Sequence, residues 1–339
     1  MNNDEFLQLL KKAHSKKSGT YRNIRLPTGK HFSISGDRSC ASLRLSAPAV
    51  VANMQRDEAA FEGWVMVLKT WCGVERFTID WDQPDDLHRA DGGRHYQRFL
   101  YRLRHFRALM GPDVIEVKQP ERLEQLRVRD GSNAMLNIAT SAAAEDGECR
   151  TSTSEAALEI QLTKAGPARN RIGAALELVE LDRQFPVGVF EGKPSKATYI
   201  FPGGKCAIDL LGLGRDGRLW LLELKTKRNI KVGSLSELFF YSMVLNDARQ
   251  GLIAFDGKGP GSRTKIRPAD VRKALHISAR LLAPDFHPLL SAEIFAAMTD
   301  RAAQLGWALD YGRLDLKEFL DPNSTPTDRR SAPMPSHIS

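Results

Sequence analysis

The sequence predicts an α/β protein, and three observations carry that expectation. Between residues 154 and 256 the apolar pattern runs helical, alternating, helical and alternating again, the order of a sheet with helices on both faces. Cys206 to Lys225 is a pair of apolar runs around the polar turn Arg215-Asp216-Gly217, which reads as a hairpin. The 339 residues suffice for two domains or one large one, and 42% hydrophobic with 27% charged residues is a globular balance that excludes fibrous repeats and wholesale disorder.

Residues 1–136 read as an N-terminal α+β domain for substrate or partner recognition. A basic helix spans Glu5 to Lys17, strand-like runs follow near Ile24 to Leu26 and Ser42 to Leu45, and a helix is expected from Glu58 to Trp71. In the next helix, His95 to Met110, Phe99, Leu103, Phe106 and Met110 share a core face, while Arg94, Arg98 and Arg102 form a stripe expected at the surface. Small and polar residues make 137–153 a linker, and the proline- and serine-rich 321–339 reads as a disordered tail.

Residues 154–320 form the more legible half. A helix from Ser154 to Lys164 precedes extended segments at Leu176 to Phe190, Cys206 to Leu213 and Leu219 to Lys225. A helix from Ser234 to Leu245 and a strand from Gly251 to Phe255 follow, and two helices, Pro268 to Leu282 and Ser291 to Leu305, are expected to cap the sheet.

Charge and cysteine content narrow the function. A net charge of +8 favours a polyanionic partner, and residues 1–30 alone carry seven Lys/Arg against two Asp/Glu. Cys40, Cys72, Cys149 and Cys206 are too scattered for a zinc module or a disulfide framework. The apolar runs fall far short of the ~20 residues of a membrane span, and the polar, acidic start lacks a secretion signal's order, so a cytoplasmic protein is expected.

The chemistry concentrates in the hairpin. Strand side chains alternate, so Glu223 and Lys225 share one face while Leu222 and Leu224 take the other. A three-residue loop with Gly217 left-handed puts residue 209 opposite residue 223, and Asp209, Glu223 and Lys225 converge. A two-residue Asp216-Gly217 turn would shift the register by one and send Asp209 to the far face. Two adjacent carboxylates call for a cation, and hard oxygens with room for water suit Mg²⁺, with Mn²⁺ able to substitute. Such a metal with a lysine beside it is suited to phosphodiester hydrolysis.

An acid on one strand and Glu223-Leu224-Lys225 on the next resembles the PD-(D/E)XK nuclease superfamily, and the likeness extends over the helix, strands and helix from about Ser154 to Asp256. Glu237-Leu-Phe-Phe-Tyr241 is similar to the Gln-Leu-x-x-Tyr motif of its RecB-type members, with glutamate replacing glutamine. The resemblance implies a restriction-endonuclease-like mixed sheet flanked by helices. It implies metal binding by Asp209 and Glu223 and a lysine, Lys225, that orients the attacking water. Glu237 and Tyr241 would support the site, and a further metal-binding glutamate would come from the preceding helix. That glutamate is Glu159 by preference, Glu155 one turn away, or Glu177 if the first helix is Arg171 to Leu181. Lys205 and Lys227 would touch phosphate. Products would be a 5′-phosphate and a 3′-hydroxyl, DNA is expected ahead of RNA, and restriction, antiviral defence or repair is the expected setting.

Other chemistries lack their motifs: Gly203-Gly204-Lys205 and Gly257-Lys-Gly-Pro-Gly261 are not phosphate-binding loops, and no GxSxG elbow occurs. Two alternatives stay open. One is a catalytically silent nuclease fold that binds nucleic acid through the basic N-terminal region and the arginine stripe. The other is a subunit of a larger complex, or a homo-oligomer, whose aromatic surface is Phe239, Phe240 and Trp307.

Overall fold

The computed structural model describes residues 1–18, 24–27, 29–85, 87, 90–137, 155–202, 206–227, 231–255 and 264–321. The expected tail beyond Asp321, the expected linker beyond Asn137, and Lys205 lie outside these residues. Within them the chain is a mixed α/β protein with three sheets. The first sheet, in order, is β1 (Phe32–Gly36), β2 (Cys40–Leu45), β3 (Arg76–Trp81) and β4 (Ile115–Val117). The run Ile24 to Leu26, expected as a strand, has no regular structure, although Ile24 is buried. A small sheet pairs β5 (Ala134–Asn137) with β7 (Gly188–Glu191) and β10 (Ala254–Phe255).

The central sheet holds β6 (Leu178–Pro186), β8 (Ala207–Gly214), β9 (Arg218–Leu224), β11 (His276–Ala283) and β12 (Leu309–Asp315), in the order β12-β11-β9-β8-β6. Strands β6, β8 and β9 are antiparallel neighbours, whereas β9, β11 and β12 run parallel. A strand therefore follows Ala274 where the sequence suggested a continuing helix. Only α8 (Pro268–Lys273) is helical there. The segment HISARLLA is buried on both sides and carries two Ala and two Leu, so its apolar run does not distinguish a core strand from a core helix. Likewise Ala254–Phe255 joins the small sheet, leaving β11 as the partner of β9.

Alternation along these strands builds two cores. One face of the sheet presents Leu210, Leu222, Leu224, Leu282 and Leu314 to α5 (Glu155–Thr163), α6 (Pro167–Ala175) and α10 (Lys317–Leu320). The other presents Leu211, Leu219, Leu221, Ile277 and Ala279 to α7 (Gly233–Gln250) and α9 (Ala292–Gln304). This second core runs on without a break into the N-terminal half. It takes in Phe6 and Leu10 of α1 (Asn3–Ser18), Ala49 of α2 (Ala47–Val50), Phe61, Trp64, Val65, Met66 and Val67 of α3 (Phe61–Val67), and Phe99 and Phe106 of α4 (Ala90–Met110). The boundary suggested at 137 thus does not separate two cores. Phe239 and Phe240, expected as an exposed partner surface, are fully buried in it, and Trp307 packs against it.

The arginine stripe of α4 also turns inward. Arg102 is buried, with Nε donating to Glu62 Oε1 at 2.7 Å, a second donor on Glu62 Oε2, and one on the Ala59 carbonyl at 2.9 Å. Buried Arg98 donates to the Ala52 carbonyl at 3.2 Å and meets His95 Nδ1 at 2.8 Å. Arg94 donates to the Lys196 carbonyl at 2.6 Å and lies over the Tyr199 ring. A stripe four residues apart can face neighbouring elements as readily as solvent, and helix periodicity alone does not choose between them. No described helix is long and apolar enough to cross a membrane.

Candidate active site

The hairpin sets the site. Leu210 pairs with Leu222 and Leu211 with Leu221, the register of the three-residue loop, and Gly217 takes the left-handed conformation at φ 78°. Continuing that register places Asp209 across from Glu223 on the α7 face. Lys225 extends the alternation, its backbone N–H still donating to the Leu282 carbonyl of β11 at 2.9 Å. Its Nζ lies 2.7 Å from Glu223 Oε1.

Helix α7 adds Glu237, whose Oε2 is 2.8 Å from Lys225 Nζ, so the ammonium is held between two carboxylates. One turn on, the Tyr241 hydroxyl accepts from the Cys206 thiol at 3.6 Å, beside the same carboxylates. Glu237 is thereby a buried partner of Lys225. The N-terminal half closes this side. Gln55 Nε2 donates to Glu237 Oε1 at 2.5 Å, and the buried charge of Arg98 acts on Cys206, Tyr241 and Glu237.

On the other side, Glu159 of α5 is buried near Asp209, and Gln184 joins them. Gln184 Nε2 reaches both Glu159 oxygens at 2.9 Å and lies 3.5 Å from Asp209 Oδ1. Gln184 sits in β6 between Arg183 and Phe185, the partners of Leu210 and Ile208, so it faces Asp209 across the ladder. Its φ of 50° is uncommon for a residue with a side chain and marks a locally strained strand at the site. Gln184 and Gln55 carry no motif, so the sequence did not single them out. Glu155 neighbours Glu159 on α5, Glu177 is exposed in the turn before β6, and Lys227 is exposed beyond β9.

Burial dominates the electrostatics. It raises the Asp209 carboxyl to about 6 against the pull of Lys225, and raises Glu159 to about 7 with help from the Asp209 charge. Glu223 is pushed well above the carboxylate range by burial, then by Asp209 and Glu237. Burial alone would discharge Lys225, but Glu223, Glu237 and Asp209 outweigh it and hold the ammonium above the ordinary lysine value. Glu237 would rise with burial too, but Lys225 brings it below its usual value.

A pH-dependent stability follows. A carboxyl raised on folding lets the native state hold a proton that the unfolded chain releases, so stability is full below about pH 4.5 and declines as pH climbs toward 7. In EDTA, Glu159→Gln should remove that cost. Its melting temperature should match wild type at pH 4.5 and exceed it at pH 8 by the equivalent of about 1 kcal/mol, after allowance for solvent screening. A difference that stays flat from pH 4.5 to 8 in calorimetry would contradict the burial argument.

Comparison with protein-family models, with curated proteins and with solved structures gives no match for this chain. Among the described residues, no three His, Cys, Asp or Glu side chains meet as a ready-made metal cage. Lys225 lies in the space between Glu223 and Glu237 instead.

Proposed function

We propose that the chain is a metal-dependent nuclease that hydrolyses phosphodiester bonds, DNA ahead of RNA, with a restriction-endonuclease-like core. The observation that carries this reading is the convergence of Asp209, Glu223 and Lys225, produced by one hairpin register. Apart from β7 and β10 of the small sheet and the short α8, the order from α6 to β11 is helix, three antiparallel strands, helix and parallel strand, which supports the fold half of it.

The donor set fits a hard divalent cation. Glu223 Oε2 is buried without a hydrogen-bond donor, and Asp209 Oδ2 is oriented by the Leu224 N–H at 2.8 Å, while Oδ1 lies 3.5 Å from the Gln184 amide. Mg²⁺ takes one or two protein carboxylates and completes its shell with water and phosphate oxygens, so a pair suffices and Glu159 stands in reserve. When bound, Mg²⁺ or Mn²⁺ would activate a water and neutralise charge on the phosphoryl group. Asp209 and Glu223 hold their oxygens in place for it, the Leu224 N–H fixes the Asp209 rotamer, and Lys225 offers an ammonium to the attacking water or the developing charge.

One observation favours a silent, binding-only fold: Glu223, Lys225 and Glu237 are buried and mutually paired, as in a structural ion cluster. Cleavage separates the two. Linear and circular duplex DNA, single-stranded DNA and RNA should be tested with Mg²⁺, Mn²⁺ or EDTA. Cutting should need metal and fall at least about 10³-fold in Asp209→Asn. Binding of nucleic acid that is indifferent to metal, with no cutting under any condition, would replace the nuclease by the binding protein.

A further inference from the structure

We propose that Gln55 is a positioning residue of this site: by fixing Glu237 it provides Lys225 with a second seat, so that Glu223 can release the ammonium and take a divalent cation. This rests on the nuclease reading above. Lys225 Nζ bridges Glu223 Oε1 at 2.7 Å and Glu237 Oε2 at 2.8 Å. An ammonium on Oε1 and a metal ion on Oε2 of one carboxylate repel each other, so metal on Glu223 loosens its hold on Lys225. The ammonium is buried and cannot retreat to water, which leaves Glu237 to keep it. Only a carboxylate meets that need, which gives a reason for glutamate at 237 in this chain: a glutamine there would offer a dipole where a charge is required.

Glu237 cannot swing freely while it serves. Gln55 Nε2 holds its other oxygen at 2.5 Å from 182 residues away in sequence. The Gln55 backbone lies so close to Gly233, at the start of α7, that any Cβ at Gly233 would collide with the Gln55 carbonyl. Arg98 holds the same loop through the Ala52 carbonyl at 3.2 Å. The loop from Ala52 to Gln55 is therefore held at both ends, and it meets the lysine and carboxylate cluster through the Gln55 amide.

The test uses the full chain with Gln55→Leu, Glu237→Gln and the two combined, plus Gly233→Ala, which displaces the same loop without touching the amide. Free Mn²⁺ is followed by electron paramagnetic resonance in a titration of protein without nucleic acid, and cleavage kinetics are measured separately. Gln55→Leu should weaken Mn²⁺ binding about 10-fold and lower kcat about 10-fold with little change in KM. Gly233→Ala should do the same in smaller measure, and the double variant should lose no more than Glu237→Gln alone. Wild-type Mn²⁺ affinity in folded Gln55→Leu overturns the positioning role, whether or not the protein cuts. A wild type that binds Mn²⁺ and never cuts refutes the nuclease while the affinity series still judges Gln55. A wild type that binds no Mn²⁺ overturns both.

Discussion

Lys225→Met should lower metal-dependent cleavage by about 10²- to 10³-fold and at the same time cost the fold about 3 kcal/mol, the scale of breaking a buried ion pair from one side. The two losses have different origins. The first reflects the ammonium's place beside the attacking water, worth on the order of 10²- to 10³-fold. The second arises because Glu237, held below its usual value by Lys225, would be left as a buried anion without its counter-charge. Adding Glu237→Gln to Lys225→Met should therefore restore most of the stability in urea unfolding and none of the cleavage. A Lys225→Met protein as stable as wild type would mean that the cluster is more open to water than its burial indicates.

Arg102→Met should be equally damaging to the fold, by about 3 to 5 kcal/mol. Glu62 is fully buried, and its charge is answered by the paired donors of Arg102 and by the Ser236 hydroxyl at 2.8 Å. Those three residues lie on α4, α3 and α7, so one carboxylate ties three helices together. The midpoint of urea unfolding should fall with an unchanged slope, and the Arg102→Met, Glu62→Leu double variant should recover much of the loss. A change below about 1 kcal/mol would show that water replaces the guanidinium, contrary to its burial.

What was legible in the sequence was local. The turn Arg215-Asp216-Gly217 sets the register, the register sets which face Asp209 takes, and alternation adds Lys225. The parts that eluded it depend on distant partners. Nothing near Gln55 or Gln184 announces that their amides meet Glu237 and Glu159, because these contacts join residues 182 and 25 positions apart. The same blindness made Arg98 and Arg102 look like a solvated stripe, since an arginine that ends on Glu62 has the same helical spacing as one that ends in water. For His276 to Ala283 the difficulty was chemical: a strand buried on both faces loses the period-two signal that identifies strands.

The shared core has a consequence for how the protein is made. Strand β5, at the close of the N-terminal half, pairs with β7 and β10, and α7 packs against α3 and α4, its Phe239 ring edge-on to Phe106. None of these partners exists when β5 leaves the ribosome. Tyr311, a late member of the same core, follows Asn137 by 174 residues, which at ~5 to 20 residues per second is a wait of roughly 10 to 35 s. Until α7 is made, Phe106 lacks the edge-on ring of Phe239 and the shared core stays incomplete, so synthesis speed and chaperone supply, as much as any single contact, should govern how much active protein a cell obtains.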